Sequence, residues 1–207
     1  MMKKTIYAAV VLMFVLTGCA GTKLVSQWSQ PGYNGPAFKN LLIIGIFKDD
    51  LRRHMYEDAF VEQLRGYGVK AVASYTVVPK LSGKKEQDKK RIKAAVAKLN
   101  SDAVIVATLV GIDKDQRYVP SAPVYVSRYG GPYGMYGYYG HSYSVIQQPG
   151  YFVDNTTVKL RATLFAVKDE KMLWTGDTNS FNPDTAQQIA DANVKLVSAA
   201  LKRDGML

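Results

Sequence analysis

The stretch LLIIGIF, residues 41–47, is a continuous apolar run with the length of one β-strand. A second run of the same kind, AVIVATLV, occupies residues 103–110. Strands that are apolar along their whole length are typical of parallel sheets that helices cover on both faces. These two stretches therefore predict the central strands of an α/β sheet.

The segment between the two runs predicts two helices and one further strand. Apolar residues recur at helical spacing over residues 51–64, directly after an Asp49-Asp50 pair that is suited to capping a helix. Residues 69–75 have the composition of a strand, and residues 92–99 place apolar side chains on one face of a helix. The resulting order β-α-β-α-β predicts parallel strands with right-handed crossovers.

The carboxyl-terminal part has the pattern of a hairpin followed by a helix. Residues 157–167 alternate apolar and polar side chains, as in a strand with one solvent-exposed face, and residues 172–181 return as its partner. Asn182 is expected to cap the last helix, with Pro183 at its first position. The prediction is a single α/β domain with an α+β tendency over residues 40–207, with about five strands in a mixed sheet and about three helices.

The first 18 residues have the features of a signal peptide. Lys3 and Lys4 precede an apolar run of 11 residues, Ile6–Leu16. This run is too short to span a bilayer, which takes about 20 apolar residues, but it has the length of a signal-peptide core. The only cysteine of the chain, Cys19, follows after two small residues, Thr17 and Gly18.

The order Leu16-Thr17-Gly18-Cys19 closely resembles the lipobox of bacterial lipoproteins. The resemblance implies that Leu16, Thr17 and Gly18 are read by the signal peptidase and that Cys19 becomes the acylated first residue, carrying chains such as palmitate. It also implies a Gram-negative outer membrane and its periplasmic face, because Ala20 replaces the aspartate that retains such proteins at the inner membrane. An ordinary signal peptide with a chance cysteine is the alternative.

Residues 19–39 follow as the predicted lipid anchor and flexible tether, because they are polar and rich in glycine and proline.

The element order over residues 40–204 resembles the α/β domain of the curli secretion channel family, of the Tol-system propeller protein and of lipoprotein activators of peptidoglycan synthases. It also resembles many uncharacterised putative periplasmic lipoproteins of Gram-negative bacteria. These resemblances imply an exported domain, but a shared fold does not imply a shared function.

A tyrosine- and glycine-rich insert, residues 117–151, interrupts the domain. Its centre, RYGGPYGMYGYYGHSY, combines glycine at every third position with repeated tyrosines, a pairing that recognition loops use for contact. There are two alternatives: a low-complexity insert without a partner, and an extended hairpin of a multimeric pore. The candidate contact residues are Tyr129, Tyr133, Tyr136, Tyr138, Tyr139 and Tyr143.

The chain is basic, with a formal charge of +10 that falls to +8 without Lys3 and Lys4. For an exported protein this charge indicates anionic lipid or cell wall as a counterpart, and not nucleic acid. A solvated helix face is the simpler interpretation of its densest cluster. The candidate anionic-surface patch consists of Lys84, Lys85, Lys89, Lys90, Arg91 and Lys93.

No catalytic constellation is visible in the sequence. His54 and His141 are far apart, and neither a metal-ligand spacing nor a nucleophile elbow is present. His54 is expected to be a surface or half-buried helix residue, and Glu57 is placed to pair with Arg52 or Arg53 along the helix.

The sequence therefore favours a non-enzymatic binding or assembly module of the cell envelope, without metal or cofactor. Its expected partners are the membrane, through acylated Cys19, and an envelope protein or the cell wall. A structural subunit of a secretion or export pore is the alternative. A cell-wall hydrolase acting through His54 or Glu57 is less favoured.

Overall fold

A computed structural model describes residues 21–120, 135–136 and 150–207 of the chain. Within these residues no helix is both long enough and apolar enough to cross a bilayer. The main elements, in chain order, are β1 (Thr22–Ser29), β2 (Asn40–Ile46), α1 (Asp50–Gly66), β3 (Lys70–Ala73), a 3₁₀ turn (Ser74–Thr76), α2 (Lys85–Leu99), β4 (Ala103–Val119), β5 (Tyr151–Ala166), β6 (Met172–Phe181) and α3 (Ala186–Arg203).

The strands form one mixed sheet in the order β1-β6-β5-β4-β2-β3. β2 runs parallel to both β3 and β4, so that Leu42 lies opposite Val72 on one side and Val104 on the other. β6 runs antiparallel to both β5 and β1. The predicted mixed α/β class is confirmed: the β-α-β-α-β part gives the parallel half, and the predicted hairpin β5–β6 lies in the antiparallel half.

Helices cover the parallel half of the sheet on both faces. α1 packs with α3 on one face, where Leu41, Ile43 and Phe60 are fully buried. α2 lies on the opposite face, where Leu42 and Ala95 are buried. Because successive side chains of a strand point to opposite faces, both sets of β2 residues reach apolar surroundings, which explains the uninterrupted run LLIIGIF.

β1 is a sixth strand, and its residues lie in the segment that the sequence predicts to be a flexible tether. It forms the edge of the sheet beside β6, with Thr22 opposite Ser180, and its register is irregular between Leu24 and Ser26. Leu24 packs against the core while Val25 is 54% exposed, so the strand lacks a regular apolar alternation. Residues Thr22–Ser29 are therefore corrected from tether to edge strand.

The strands around the insert are longer than predicted. β4 extends to Val119 and β5 begins at Tyr151, so both limits of the predicted insert fall within strands. The described residues between Asp113 and Thr156 form a compact unit apart from the rest of the chain. Within that unit, Gln116 Nε2 donates to Asp154 Oδ1 at 2.8 Å, and the rings of Tyr118 and Phe152 lie 5.1 Å apart.

The N-cap of α3 lies three residues later than the predicted cap at Asn182. Its N-cap is Thr185, whose hydroxyl accepts a hydrogen bond from the backbone N–H of Gln188 at 3.1 Å. Asn182 instead has a positive φ of 43°, and Pro183 precedes the helix. Threonine in this position satisfies a backbone donor that the first turn of a helix leaves open.

One polar residue on the inner face of α3 is buried and joins three elements. Asn193 has no exposed surface, and it accepts a hydrogen bond from the hydroxyl of Tyr56 on α1. Its Nδ2 donates to Thr178 Oγ1 on β6 at 2.5 Å. A buried amide without partners would destabilise the fold. These hydrogen bonds satisfy Asn193 and link α1 and α3 to the sheet.

The inner face of α1 carries a buried charge pair. Arg53 Nε donates to Glu57 Oε1 at 2.9 Å, and both side chains are at most 1% exposed. Oε1 also accepts from the Gly45 N–H and the Ser74 hydroxyl, each at 2.8 Å. Oε2 accepts from the Tyr75 N–H at 2.9 Å. One carboxylate thus joins β2, α1 and the 3₁₀ turn.

This pair changes the first turns of the inner face of α1 relative to the sequence prediction, whereas Phe60 and Leu64 are buried as expected. Leu51, which the apolar spacing places inside, is 66% exposed. Arg53 is directed inward instead, and its Nη2 donates to Ser74 Oγ at 2.7 Å and to the Val78 carbonyl at 3.0 Å. The predicted pairing of Glu57 with Arg52 or Arg53 along the helix is confirmed for Arg53, and the pair is buried.

We expect Glu57→Ala to lower the free energy of unfolding by about 3–5 kcal/mol, because it leaves the Arg53 guanidinium buried without its counter-ion. Urea denaturation of the variant and the unmodified protein measures the change. Glu62→Ala is the matched control, since Glu62 is an exposed glutamate on the same helix and its loss is expected to change stability by about 0.5 kcal/mol or less. Equal stability of the two variants would contradict the assigned role of Glu57.

Candidate functional site

A groove of about 1300 Å³ opens between α2 and the sheet. Its floor is formed by apolar side chains of β2 and β4, among them Ile44, Val104 and Val106. Ile92 and Val96 of α2 form one wall. A concave, mostly apolar surface with a few polar groups at its border is the common form of a ligand site in proteins.

The groove exists because α2 packs shallowly on the sheet. Ala95 is the only buried residue of this fully described helix, while Ile92, Val96 and Leu99 are half-buried. The sequence KEQDKKRIKAAVAKL explains this, since its apolar positions form a narrow stripe between charged residues. The apolar floor beside α2 is therefore left accessible.

The start of α2 is fixed by its own acidic residue. Asp88 Oδ1 accepts hydrogen bonds from the backbone N–H and hydroxyl of Ser82, and Oδ2 accepts from the Gly83 N–H. These bonds hold the pKa of Asp88 below its ordinary value, led by the Ser82 N–H. The segment that leads into the helix is thereby tied to its first turns, which fixes this end of the groove.

The basic patch predicted from the sequence is divided by the structure. Lys85, Lys89 and Lys93 recur at every fourth position, share one side of α2 and line the groove. The other three basic residues do not line it. Of these, Arg91 donates to the Lys80 carbonyl at 2.7 Å and lies 3.8 Å from Asp88.

One member of this lysine stripe joins the two walls of the groove. Lys93 Nζ lies 2.9 Å from Glu170 Oε1 in the turn between β5 and β6. The hydrogen bond from Lys93 holds the pKa of Glu170 below its ordinary value, and Lys89 adds to the effect. Neither Lys85 nor Lys89 forms an ion pair with any residue that the structure describes, so two cations of the stripe remain available to a ligand.

The remaining predicted site residues lie elsewhere. Tyr136 is described and is 84% exposed. Of the other predicted residues, those outside the described part of the chain are Leu16, Thr17, Gly18, Cys19, Tyr129, Tyr133, Tyr138, Tyr139 and Tyr143. The lipidation and tyrosine contact predictions therefore stay predictions.

The two residues named as candidates for a hydrolase, His54 and Glu57, lie in different surroundings. His54 is half-buried, as expected, and its ring lies 4.0 Å from the ring of Tyr75. The Tyr75 hydroxyl donates to Asp58 at 2.7 Å, which raises the pKa of Tyr75. Glu57 is fully buried and both its oxygens accept protein hydrogen bonds, so it holds the fold together and does not face a cleft.

Sequence reasoning found the lysines but missed the groove that they border. The spacing of Lys85, Lys89 and Lys93 is visible in the sequence and indicates a single helix side. The opposite wall comes from Phe165, Ala166 and Val167, more than 70 residues further along the chain. The missing information was the tertiary placement of the β5–β6 turn against α2.

No protein-family model matches this chain, and no curated protein matches it. Among solved structures, it is similar to the PelC dodecamer from Paraburkholderia phytofirmans, with 14% identity over 87% of this chain and 95% of that chain and a TM-score of 0.44. Lipoprotein GNA1162 from Neisseria meningitidis is 12% identical over 80% of this chain and 99% of that chain, with a TM-score of 0.41.

A PDZ domain protein from Parabacteroides distasonis is 12% identical over 86% of this chain and 34% of that chain, with a TM-score of 0.40. At these scores the likenesses carry no functional argument. The groove is assigned as the candidate site on its own geometry.

We expect Lys93→Gln to raise the pKa of Glu170 towards its ordinary value, because the hydrogen bond to the charged carboxylate is lost. In the unmodified protein the ion pair is complete above the lowered pKa and breaks as the pH falls through it. Carboxyl carbon NMR shifts followed through an acid titration measure the change. Lys98→Gln, an exposed lysine of the same helix outside the groove, is the control, and an unchanged Glu170 titration in Lys93→Gln would contradict the pairing.

Proposed function

We propose that this protein is a non-enzymatic binding module of the bacterial cell envelope, held on the periplasmic face of the outer membrane by acylated Cys19. Its working surface is the groove between α2 and the sheet, which takes a partly apolar, anionic ligand. The single observation that carries the proposal is the combination, in one groove, of an apolar floor with a border of three lysines.

The apolar floor supports binding because open apolar surface has a free-energy cost. Each Å² of apolar surface that leaves water contributes roughly 25 cal/mol, and contiguous exposed apolar surface commonly marks an interaction site. Ile46 at the groove is 51% exposed. A ligand that covers this floor removes its apolar surface from water, and this burial stabilises the complex because α2 packs too shallowly to cover the floor itself.

The lysines support an anionic ligand. Lys85 and Lys89 add positive potential to one border of the groove, and complementary charge both steers a ligand and selects against cationic ones. The overall charge of +8 after removal of the signal peptide acts in the same direction at longer range. Lipid anchoring confines the module to the membrane surface, since two or more acyl chains hold a protein firmly on a bilayer.

The anchor would hold the domain close to the membrane. The backbone carbonyl of Gly21 already accepts a hydrogen bond from Phe181 at 2.7 Å, and β1 begins at Thr22. Two residue steps separate Cys19 from Gly21, which is a reach of about 7 Å. The proposed module is therefore fixed beside the bilayer and does not swing on a 20-residue tether.

We expect the protein from the membrane fraction to have the mass of a chain that starts at Cys19 and carries acyl groups. Cys19→Ser is expected to lose both the acyl mass and the membrane location, because the hydroxyl does not replace the thiol in lipobox processing. Intact-mass spectrometry of the two proteins measures this. An unacylated mass for the unmodified protein would overturn the proposed anchor.

We expect a photo-crosslinking amino acid at Ala97, which lines the groove, to form an adduct in living cells. The matched control is the same amino acid at Ala94, an exposed alanine of the same helix that does not line the groove. The adduct at Ala97 is expected to diminish when Lys85 and Lys89 are both changed to glutamate. Equal adducts at both positions, or no adduct at Ala97, would overturn the groove as the working surface.

A further inference from the structure

We propose that the groove receives an acidic amphipathic helix of a partner protein, which packs beside α2 on the same face of the sheet. This inference rests on the proposed function and names the partner class of the same groove. It follows from the position of the groove in the helix layers and from the spacing of its free lysines.

The two faces of the sheet carry different numbers of helices. α1 and α3 pack against each other on one face, whereas α2 is the only described helix on the other. The groove lies where a second helix would stand in a complete layer, between α2 and the end of β5. A helix of about 10 Å diameter that fills 1300 Å³ would have about 11 residues, or about three turns.

The lining of the groove matches the apolar face of such a helix. Val104 and Val106 provide the floor, Ile92 and Val96 face it from α2, and Phe165 closes the opposite side. Residues three and four apart on a docking helix would contact these surfaces, which is the usual way in which an amphipathic helix occupies a hydrophobic groove.

The charge pattern selects an acidic helix. Lys85 and Lys89 are one turn apart, so carboxylates spaced by four residues on a neighbouring helix would meet them in sequence. Glu170 already pairs with the third lysine of the stripe, Lys93, at 2.9 Å. That contact shows how a carboxylate from the opposite wall reaches this side of α2.

The chain itself does not offer this helix. Residues 121–149 contain no aspartate or glutamate, and residues 1–20 contain only basic charges. α1 and α3 use their inner faces in the core of their own domain, through buried residues such as Phe60 and Val197. A second copy therefore has no free acidic amphipathic helix among its described elements, and the occupant is a different protein.

The test uses the acylated protein from the membrane fraction, reconstituted in phosphatidylcholine vesicles. The probe is a fluorescent peptide of about four helical turns, with leucine on one face and glutamate at every fourth position on the other. A peptide with lysine in place of each glutamate is the control. We expect fluorescence anisotropy to show binding of the acidic peptide that is tighter by about tenfold or more.

Variants of the stripe locate the binding. Changing Lys85 and Lys89 together to glutamate is expected to weaken binding of the acidic peptide by about tenfold or more. Lys98→Glu, outside the groove, is expected to leave the binding unchanged. Glu170→Gln is expected to tighten binding, because it releases Lys93. Circular dichroism shows whether each variant keeps its fold, and the opposite responses of the lysine and Glu170 variants separate a charge effect from unfolding.

Two results would overturn the inference. Equal binding of the acidic and basic peptides would remove the charge argument. An adduct at Ala97 in cells whose added mass is that of a lipid would make the occupant an acyl chain, while leaving the proposed groove function intact. The supporting result is an adduct that maps to an acidic amphipathic segment of a protein and is lost in the double lysine variant.

Discussion

The Glu57 carboxylate is the point on which the arrangement of this domain depends. A charge buried in the interior is stable only when its hydrogen bonds are satisfied, and this one accepts from Arg53, Gly45, Ser74 and Tyr75. These hydrogen bonds therefore fix the end of β2, the middle of α1 and the turn after β3 relative to one another. Through Arg53, the same network reaches the carbonyl of Val78 and so the segment that leads to α2.

The groove follows from this constraint together with the composition of α2. The network and the hydrogen bonds of Asp88 fix where the helix begins, but the narrow apolar stripe of α2 buries little more than Ala95. The helix is thus held at its start by these bonds and at its end by Asn40 of β2, whose Nδ2 donates to the carbonyls of Leu99 and Asn100 at 2.8 Å each. A firmly placed but shallowly packed helix leaves an accessible apolar surface with a defined shape.

The sequence predicted the strands whose two faces are both apolar, which give uninterrupted apolar runs, and the strands with one exposed face, which alternate apolar and polar residues. β2 and the first half of β4 are of the first kind. β1 is an edge strand with one sheet neighbour and a register irregularity, so its residues show no period. At the start of α1, apolar periodicity predicts Leu51 inside because it assumes that apolar residues are buried, whereas the interior there contains Arg53 and Glu57. The groove depends on residues of α2 and β5–β6 that no local pattern connects.

The position of β1 determines where mechanical load enters the domain. With the proposed anchor at Cys19, any pull between the membrane and a bound partner would reach the fold first at Gly21, whose carbonyl accepts from Phe181, and then at the edge strand β1. Its hydrogen bonds to β6 would carry the force next. β2, β4 and the Glu57 network, which position the groove, lie further along the sheet from β1. With the proposed anchor, β1 would therefore be the first strand of the sheet to bear such a load.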